Sequence, residues 1–416
     1  MKFRLLSTYR GLRREIYVLF IGRVMTNMGS MIWPMFTLIM NRKLGFDATT
    51  IAACLLIYSL VSLPISLAGG KLADAVSKKN IIVICDLVSV AGYVYCACVP
   101  VTIPSMIVFA FSSLFQSIEM PAYDALVADL TATKDRDRAY SLSYLGNNLG
   151  LVLSPTIGGI LLENHLNLAF LISGLSILLS TGLIFALIRD EHREEDHSAQ
   201  AVYEQSTEQK TSVFLLLRKR PVLSMFIVLD AMYTLVYVMY NYIMPLDLSA
   251  LYGENGSVLF GTMSSVNCIE VVLCTALITR LLVRLPDTGK MLTAQGLVIL
   301  GYLIFMLFAG SVPLCYVAII VFTFGEIIGT LGATPYITKR IPSTHRGRFL
   351  AVQTMVCNLF SGVVQLFIGI VYDKCSSGLT WLIVIGIGCA VMAGMLILRK
   401  LDQREYPALY EDHFSA

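Results

Sequence analysis

Apolar residues in this chain run in long stretches rather than alternating with polar ones. Stretches of spanning length, each bounded by charge or turn residues, lie at about 16–40, 47–69, 80–100, 103–130, 139–162 and 166–188. A second set lies at about 221–245, 257–283, 290–309, 313–338, 347–371 and 378–399. Crossing a hydrocarbon core takes about 20 mostly apolar residues as a helix, so each stretch predicts one transmembrane helix. The longest polar stretch, Arg189 to Thr211 with its run RDEHREED, separates the two sets. The pattern predicts an all-α membrane protein of twelve transmembrane helices in two six-helix halves. Residues 1–188 form the N-terminal half, 189–213 a cytoplasmic linker and 214–416 the C-terminal half. Paired halves are the organisation of transporters built from repeats. The first stretch is too long for the apolar core of a signal peptide and is expected to be retained.

Composition agrees with lipid as the solvent. Of the 416 residues 56% are hydrophobic and only 14% charged, and mean hydropathy is +0.73. Soluble domains carry about 25% charged residues, so this chain has too few to cover a water-exposed surface. The ten cysteines lie mostly in apolar runs without a CxxC pair, and the five histidines form no ligand spacing. No metal site, cofactor or nucleic-acid partner is expected. With no Ser/His/Asp grouping and no phosphate-binding loop, an enzyme is not expected either.

The distribution of Lys and Arg orients the chain. With an even span count, 27 of the 31 basic residues fall on the side holding both termini. Only Arg42, Lys43 and Lys374 fall opposite, and Arg23 lies within the first span. Basic loops stay cytoplasmic, so a multi-pass protein of the cell membrane with both termini in the cytoplasm is expected.

Several polar groups lie where a bilayer penalises them by about 2.5–3.5 kcal/mol each. Glu326 is 13 residues into the tenth span, about 20 Å deep at about 1.5 Å per residue. Glu270 is equally central in the eighth. Glu119 falls in the fourth span with Gln116 one turn earlier, Asp230 in the seventh, and Arg23 in the first with Asn27 one turn on. Arg23 is the one cation among them. Structural readings stay open: Arg23 reaching the interface, Asp230 at an interface, Glu270 satisfied by Asn267. Asp86, six residues into its stretch, is expected close to the interface. The functional reading is chemical. Desolvation disfavours an ionised carboxylate, so such a group can load and release a proton, and when ionised it attracts a cation. The acids, Glu326 foremost, are expected to line a water-accessible chamber near the midplane. Met232, Tyr233, Tyr237, Met239, Tyr240 and Tyr242 would form either an adaptable wall or ordinary helix packing.

Three segments carry a resemblance. The connection GGKLADAVSKKN, with Gly70, Leu72, Asp74, Lys78 and Lys79, resembles the loop signature of the major facilitator superfamily; Ala75 and Ser77 depart from it. The stretch PAYDALVADLTATKDRDRAYSLSYLGNNLGLVLSPTIGGIL resembles the fourth and fifth spans of its drug:proton antiporter branch. The segment TFGEIIGTLGATPYI is similar to lactococcal multidrug/proton antiporters of that branch. The resemblance implies that Asp74, Lys78, Lys79, Asp129 and Arg138 serve a cytoplasmic gating network. It implies that Gly150, Pro155, Gly158 and Gly159 form the fifth-span antiporter motif, here with Ser154 before the proline. It also implies that Glu326 is the acidic residue of the tenth span. The buried Arg that the family often carries in its fourth span is missing from SSLFQSIEMP. The connection TRLLVRLPDTGK reads as a decayed copy of the loop signature. The expected function is secondary transport by alternating access, proton-coupled efflux of amphipathic or cationic drug-like compounds. The alternative is a proton-coupled importer of a small nutrient or peptide on the same fold. Expected partners are lipids, protons and a small-molecule substrate, with a proton gradient as the driving force and a monomer as the working unit.

Overall fold

The computed structural model describes residues 11–131, 135–188, 220–282, 285–341 and 343–411. The linker expected at 189–213 lies outside them. The described residues are helical, without a strand. Ten helices among them are long and apolar enough to cross a membrane. In the N-terminal part these are α3 (Ala48–Ala75), α4 (Lys78–Cys98), α5 (Ile103–Asp129) and α8 (Leu166–Leu187). In the C-terminal part they are α9 (Pro221–Tyr252), α10 (Glu254–Leu281), α11 (Asp287–Phe308), α12 (Val312–Arg340), α13 (Ser343–Lys374) and α14 (Ser377–Glu405). The short α15 (Ala408–Glu411) ends the described chain.

The two missing spans are present but broken, which the apolar runs alone did not predict. The first divides into α1 (Arg14–Met28) and α2 (Phe36–Leu44), and the fifth into α6 (Arg136–Leu151) and α7 (Ser154–Leu161). Each break has a proline beside it, Pro34 and Pro155. Proline has no N–H for the helical ladder, and its ring clashes with the carbonyl four residues back. Pro155 sits in the first turn of α7, where that N–H is not needed.

Contacts divide the chain into two compact units. One comprises the described parts of Met1–Phe46, Ile57–Arg193 and Pro245–Val272. The other comprises those of Asp47–Leu56, Glu194–Met244 and Leu273–Ala416. In the first, α4 packs on α5 and α8, and α1 on α6 and α8, around a core that includes Leu19, Ile82, Ala122, Tyr123 and Ile184. In the second, α11 packs on α12 and α14; its core includes Leu223, Phe226, Tyr336, Phe349 and Leu398. Large apolar side chains such as Ile57, Phe111, Phe185 and Leu273 stay exposed, as a lipid-facing surface requires.

Each unit joins segments from both halves of the sequence. In the first, α7 meets α10 so closely that a Cβ at Gly159 would overlap the Ser257 carbonyl, and one at Gly261 the Pro155 carbonyl. The Thr156 and Ser265 hydroxyls lie 2.6 Å apart across the same joint. Small residues allow this backbone approach. Gly159→Val is therefore expected to cost most of the folded, monodisperse protein in detergent extracts, while Gly182→Val, with open space around it, is expected to leave the yield unchanged. In the second unit the start of α3 is capped from α13. Asp373 accepts from the Ala48 N–H at 3.0 Å, the Thr49 N–H at 2.8 Å and the Thr49 hydroxyl at 2.6 Å. Asp47 takes the Thr50 N–H at 2.9 Å, and these hydrogen bonds hold its carboxyl below the usual range. Two carboxylates thus satisfy three of the N–H groups that a helix start leaves unpaired. Asp373→Ala is expected to cost about 1–2 kcal/mol, measured as a lower thermal unfolding midpoint. Asp373→Asn should cost less, because its amide oxygen still accepts.

Candidate functional site

The second unit holds Glu326 and Asp230. Glu326 lies mid-way along α12 and accepts a hydrogen bond from the Tyr237 hydroxyl of α9 at 2.9 Å. The Tyr237 and Tyr240 rings stack on Phe322 at 5.7 and 5.2 Å between centroids, and Tyr302 closes on the same Phe322 at 5.3 Å. The Tyr302 hydroxyl in turn donates to the Val236 carbonyl at 2.8 Å. A Cβ at Gly329, one turn after Glu326, would lie 2.5 Å from the Tyr233 hydroxyl, so glycine there makes room for a second phenol. Tyr233, Tyr237 and Tyr240 of α9 thus form an aromatic wall beside the acid, while Tyr242 is packed elsewhere, its hydroxyl donating to the Ala48 carbonyl at 2.6 Å. Asp230 lies two turns before Tyr237 on α9. It accepts from the Gln353 amide at 2.7 Å and lies 3.3 Å from the Cys357 thiol, both on α13. Its partners are neutral donors, so the group is held without a fixed cation and keeps the capacity to bind one.

The first unit holds Arg23, Glu119, Gln116, Asn27 and Glu270. Arg23 points into the bundle instead of reaching toward an interface: it lies 3.8 Å from Glu119 Oε2 and stacks 3.6 Å over the Tyr123 ring. That ring is fixed by the Tyr123 hydroxyl donating to the Leu19 carbonyl at 2.6 Å. The cation that the family often places in its fourth span thus comes here from the first, opposite an acid on the fourth. Asn27 bridges α1 and α6, donating to the Arg23 carbonyl at 2.9 Å and to Asn147 at 3.1 Å. Gln116 hydrogen-bonds the buried Tyr93 hydroxyl. Glu270 is buried on α10, one turn after Asn267. Asp86, expected near the interface, is 8% exposed and accepts from the Thr181 hydroxyl at 2.6 Å. Its burial was not legible from depth, because position along a span does not show which face a distant segment such as α8 covers.

The gating residues divide among separate contacts. Lys78 pairs with Asp129 at 2.7 Å, joining the loop to the end of α5. Arg138 pairs with Asp135 at 2.8 Å. Lys79 donates to the Ile188 carbonyl at 2.6 Å. A Cβ at Gly70 would meet nothing within 4 Å, and the Asp74 side chain lies outside the described residues. The fifth-span glycines are close-approach positions. A Cβ at Gly150 would lie 2.6 Å from the Val24 carbonyl of α1, and one at Gly158 2.9 Å from that of Met31.

The connection read as a decayed signature holds a larger charge cluster than the intact one. Asp287 receives Lys339 at 2.9 Å, with Lys290 and Arg340 each at 3.8 Å. Arg340 also forks onto Asp402 from Nε at 2.7 Å and from Nη2, stacked 3.8 Å over the Tyr336 ring. The Tyr336 and Tyr410 hydroxyls donate to Asp402 as well. Burial and that carboxylate push the Tyr410 phenol up to about 12. Sequence reading singled out neither Arg340 nor Asp402 and missed this pair.

Comparison with known proteins is consistent with this geometry. The sequence model of the Major Facilitator Superfamily matches residues 18–364. A Na(+), Li(+), K(+)/H(+) antiporter of Planococcus maritimus is 22% identical over 82% of this chain and 86% of its own. The multidrug resistance protein MdtH of Yersinia enterocolitica is 28% identical over 35% of this chain and 37% of its own. The crystal structure of a POT family transporter in complex with 5-aminolevulinic acid superposes with a TM-score of 0.75 at 14% identity, covering 95% of this chain and 97% of that one; at that identity the likeness is one of fold. With twelve spans in two sets of six and a family match over most of its length, the chain belongs to the major facilitator superfamily and is a membrane transporter, not an enzyme.

Proposed function

We propose that this transporter exports amphipathic or cationic compounds in exchange for protons, with Glu326 as the group that both bind in turn. The observation that carries the reading is the Glu326 carboxylate deep in α12. It accepts a hydrogen bond from the Tyr237 phenol at 2.9 Å, and the Tyr237 and Tyr240 rings stack on Phe322 beside it. An ionised carboxylate beside aromatic faces attracts an organic cation through charge and ring quadrupole together. Protonation removes the charge attraction and leaves only the ring faces, so proton arrival weakens the hold on the cation. Asp230, with neutral partners among the described residues, is the second acid of this region. The two halves would rock about the site by alternating access. Two relatives support exchange: one named as a cation/proton antiporter and one as a multidrug resistance protein.

Proteoliposomes with an imposed pH gradient test this reading, using a panel of fluorescent organic cations with uncharged peptides as the comparison. Cation movement opposite to the proton gradient is expected, and it should stop when the gradient is collapsed. Peptide movement along with protons would replace export by import.

A further inference from the structure

The first unit holds a second pair of buried acids that the cycle above does not use. Asp86 on α4 and Glu119 on α5 are each 8% exposed. The titratable and charged groups around them are Arg23 from α1, Tyr123 and Asp124 from α5, and Cys85 beside Asp86 on α4. From α8 comes the Thr181 hydroxyl. Asp124 is exposed.

One guanidinium serves the two buried acids. Arg23 faces Glu119 at 3.8 Å, and its Nε is buried without a hydrogen-bond partner among the described residues. Among the described residues, two carboxylates against one fixed cation leave one negative charge uncompensated. A buried unpaired charge neutralises itself by taking a proton.

Thr181 shows which acid is built to hold that proton. Its hydroxyl has one hydrogen and two acceptors in reach: Asp86 Oδ2 at 2.6 Å and the Ile177 carbonyl at 2.8 Å. It can donate to only one at a time. When Asp86 is ionised, the hydroxyl hydrogen points at the carboxylate. When Asp86 is protonated, its O–H donates to Thr181 Oγ1, and the hydroxyl hydrogen turns to Ile177. Both charge states are hydrogen-bonded without moving a heavy atom.

We infer that Asp86 is a second proton-binding group of the transport cycle, switched between its two states by the Thr181 hydroxyl and balanced by the Arg23–Glu119 pair. A proton from water on one face adds to the Asp86 carboxylate to give the neutral acid. Its release to the other face restores the carboxylate, and no other bond changes. The inference extends the proton-coupled reading above, but its test does not depend on transport.

That test is infrared difference spectroscopy of the purified protein in lipid, stepped in pH. Asp86→Asn is expected to lose one carboxylic-acid carbonyl band, Glu326→Gln a different one. Thr181→Val is expected to keep the Asp86 band but displace it, because the partner of its O–H is gone. Retention of every band in Asp86→Asn would overturn the inference. So would an undisplaced band in Thr181→Val, which also decides the matter if Asp86→Asn does not fold. In proteoliposomes Asp86→Asn should move one proton fewer per substrate. If Glu326→Gln leaves transport coupled, the export reading fails while the Asp86 band still decides this one.

Discussion

Arg340→Met is expected to leave little folded protein. The Arg340 side chain is 2% exposed and that of Asp402 is not exposed. The guanidinium satisfies both Asp402 oxygens, its Nη1 donates to the Tyr336 carbonyl at 3.0 Å, and it lies 3.8 Å from Asp287. Removing it strands the Asp402 charge in a site with no other basic side chain paired to it among the described residues. Breaking one side of a buried pair costs about 3–5 kcal/mol, a large share of a typical stability. Methionine keeps much of the stem's volume, so the loss should come from charge and not from a void. The expected readout is a sharp fall in monodisperse yield and in the thermal midpoint. Arg340→Met combined with Asp402→Leu should recover much of it, because removing both charges also removes their desolvation cost. Equal damage in the single and double variants would mean that packing, not charge, sets the effect.

Glu326→Gln is expected to abolish the response of transport to a pH gradient while preserving the fold. Glutamine has nearly the same shape, and its amide oxygen accepts from Tyr237 as the carboxylate does at 2.9 Å. What it cannot do is exchange a proton or carry charge. Substrate flux should fall to the rate seen without a gradient, with cationic substrates bound more weakly than neutral ones. Tyr237→Phe removes one hydrogen bond to a charged group, a change of about 1.5–3 kcal/mol. It should shift the pH dependence of transport without silencing it. The pair separates a proton carrier from a group that only shapes the pocket, since a shaping role would make Tyr237→Phe the more damaging substitution.

Much of this architecture is legible in the sequence because lipid allows few alternatives. A run such as 166–188 is long, apolar and free of charge, and it becomes α8 almost residue for residue. The broken spans are less legible: hydropathy averages over Gly29 to Pro34 and over Ser154–Pro155 without registering a lost ladder bond. Depth counting found Glu326, Glu119 and Arg23, but it cannot show which acids share a partner. Asp230 and Glu326 belong to one unit, and Glu270 to the other with Arg23. Pairing was hidden wherever partners are distant in sequence. Arg340 meets Asp402 across 62 residues, Asp86 meets Thr181 across 95, and neither spacing leaves a periodic signal. Gly159 was recognisable as part of a motif, while its reason, the Ser257 carbonyl of α10, needed coordinates.

The exchange of proton for cation at Glu326 is tested most directly by counting protons at the binding step, with a pH indicator and purified protein in weakly buffered detergent. Adding a transported cation to the wild type should release protons, and adding it to Glu326→Gln should release fewer. Equal release from both proteins would place the exchange on another group and contradict the role given to this acid.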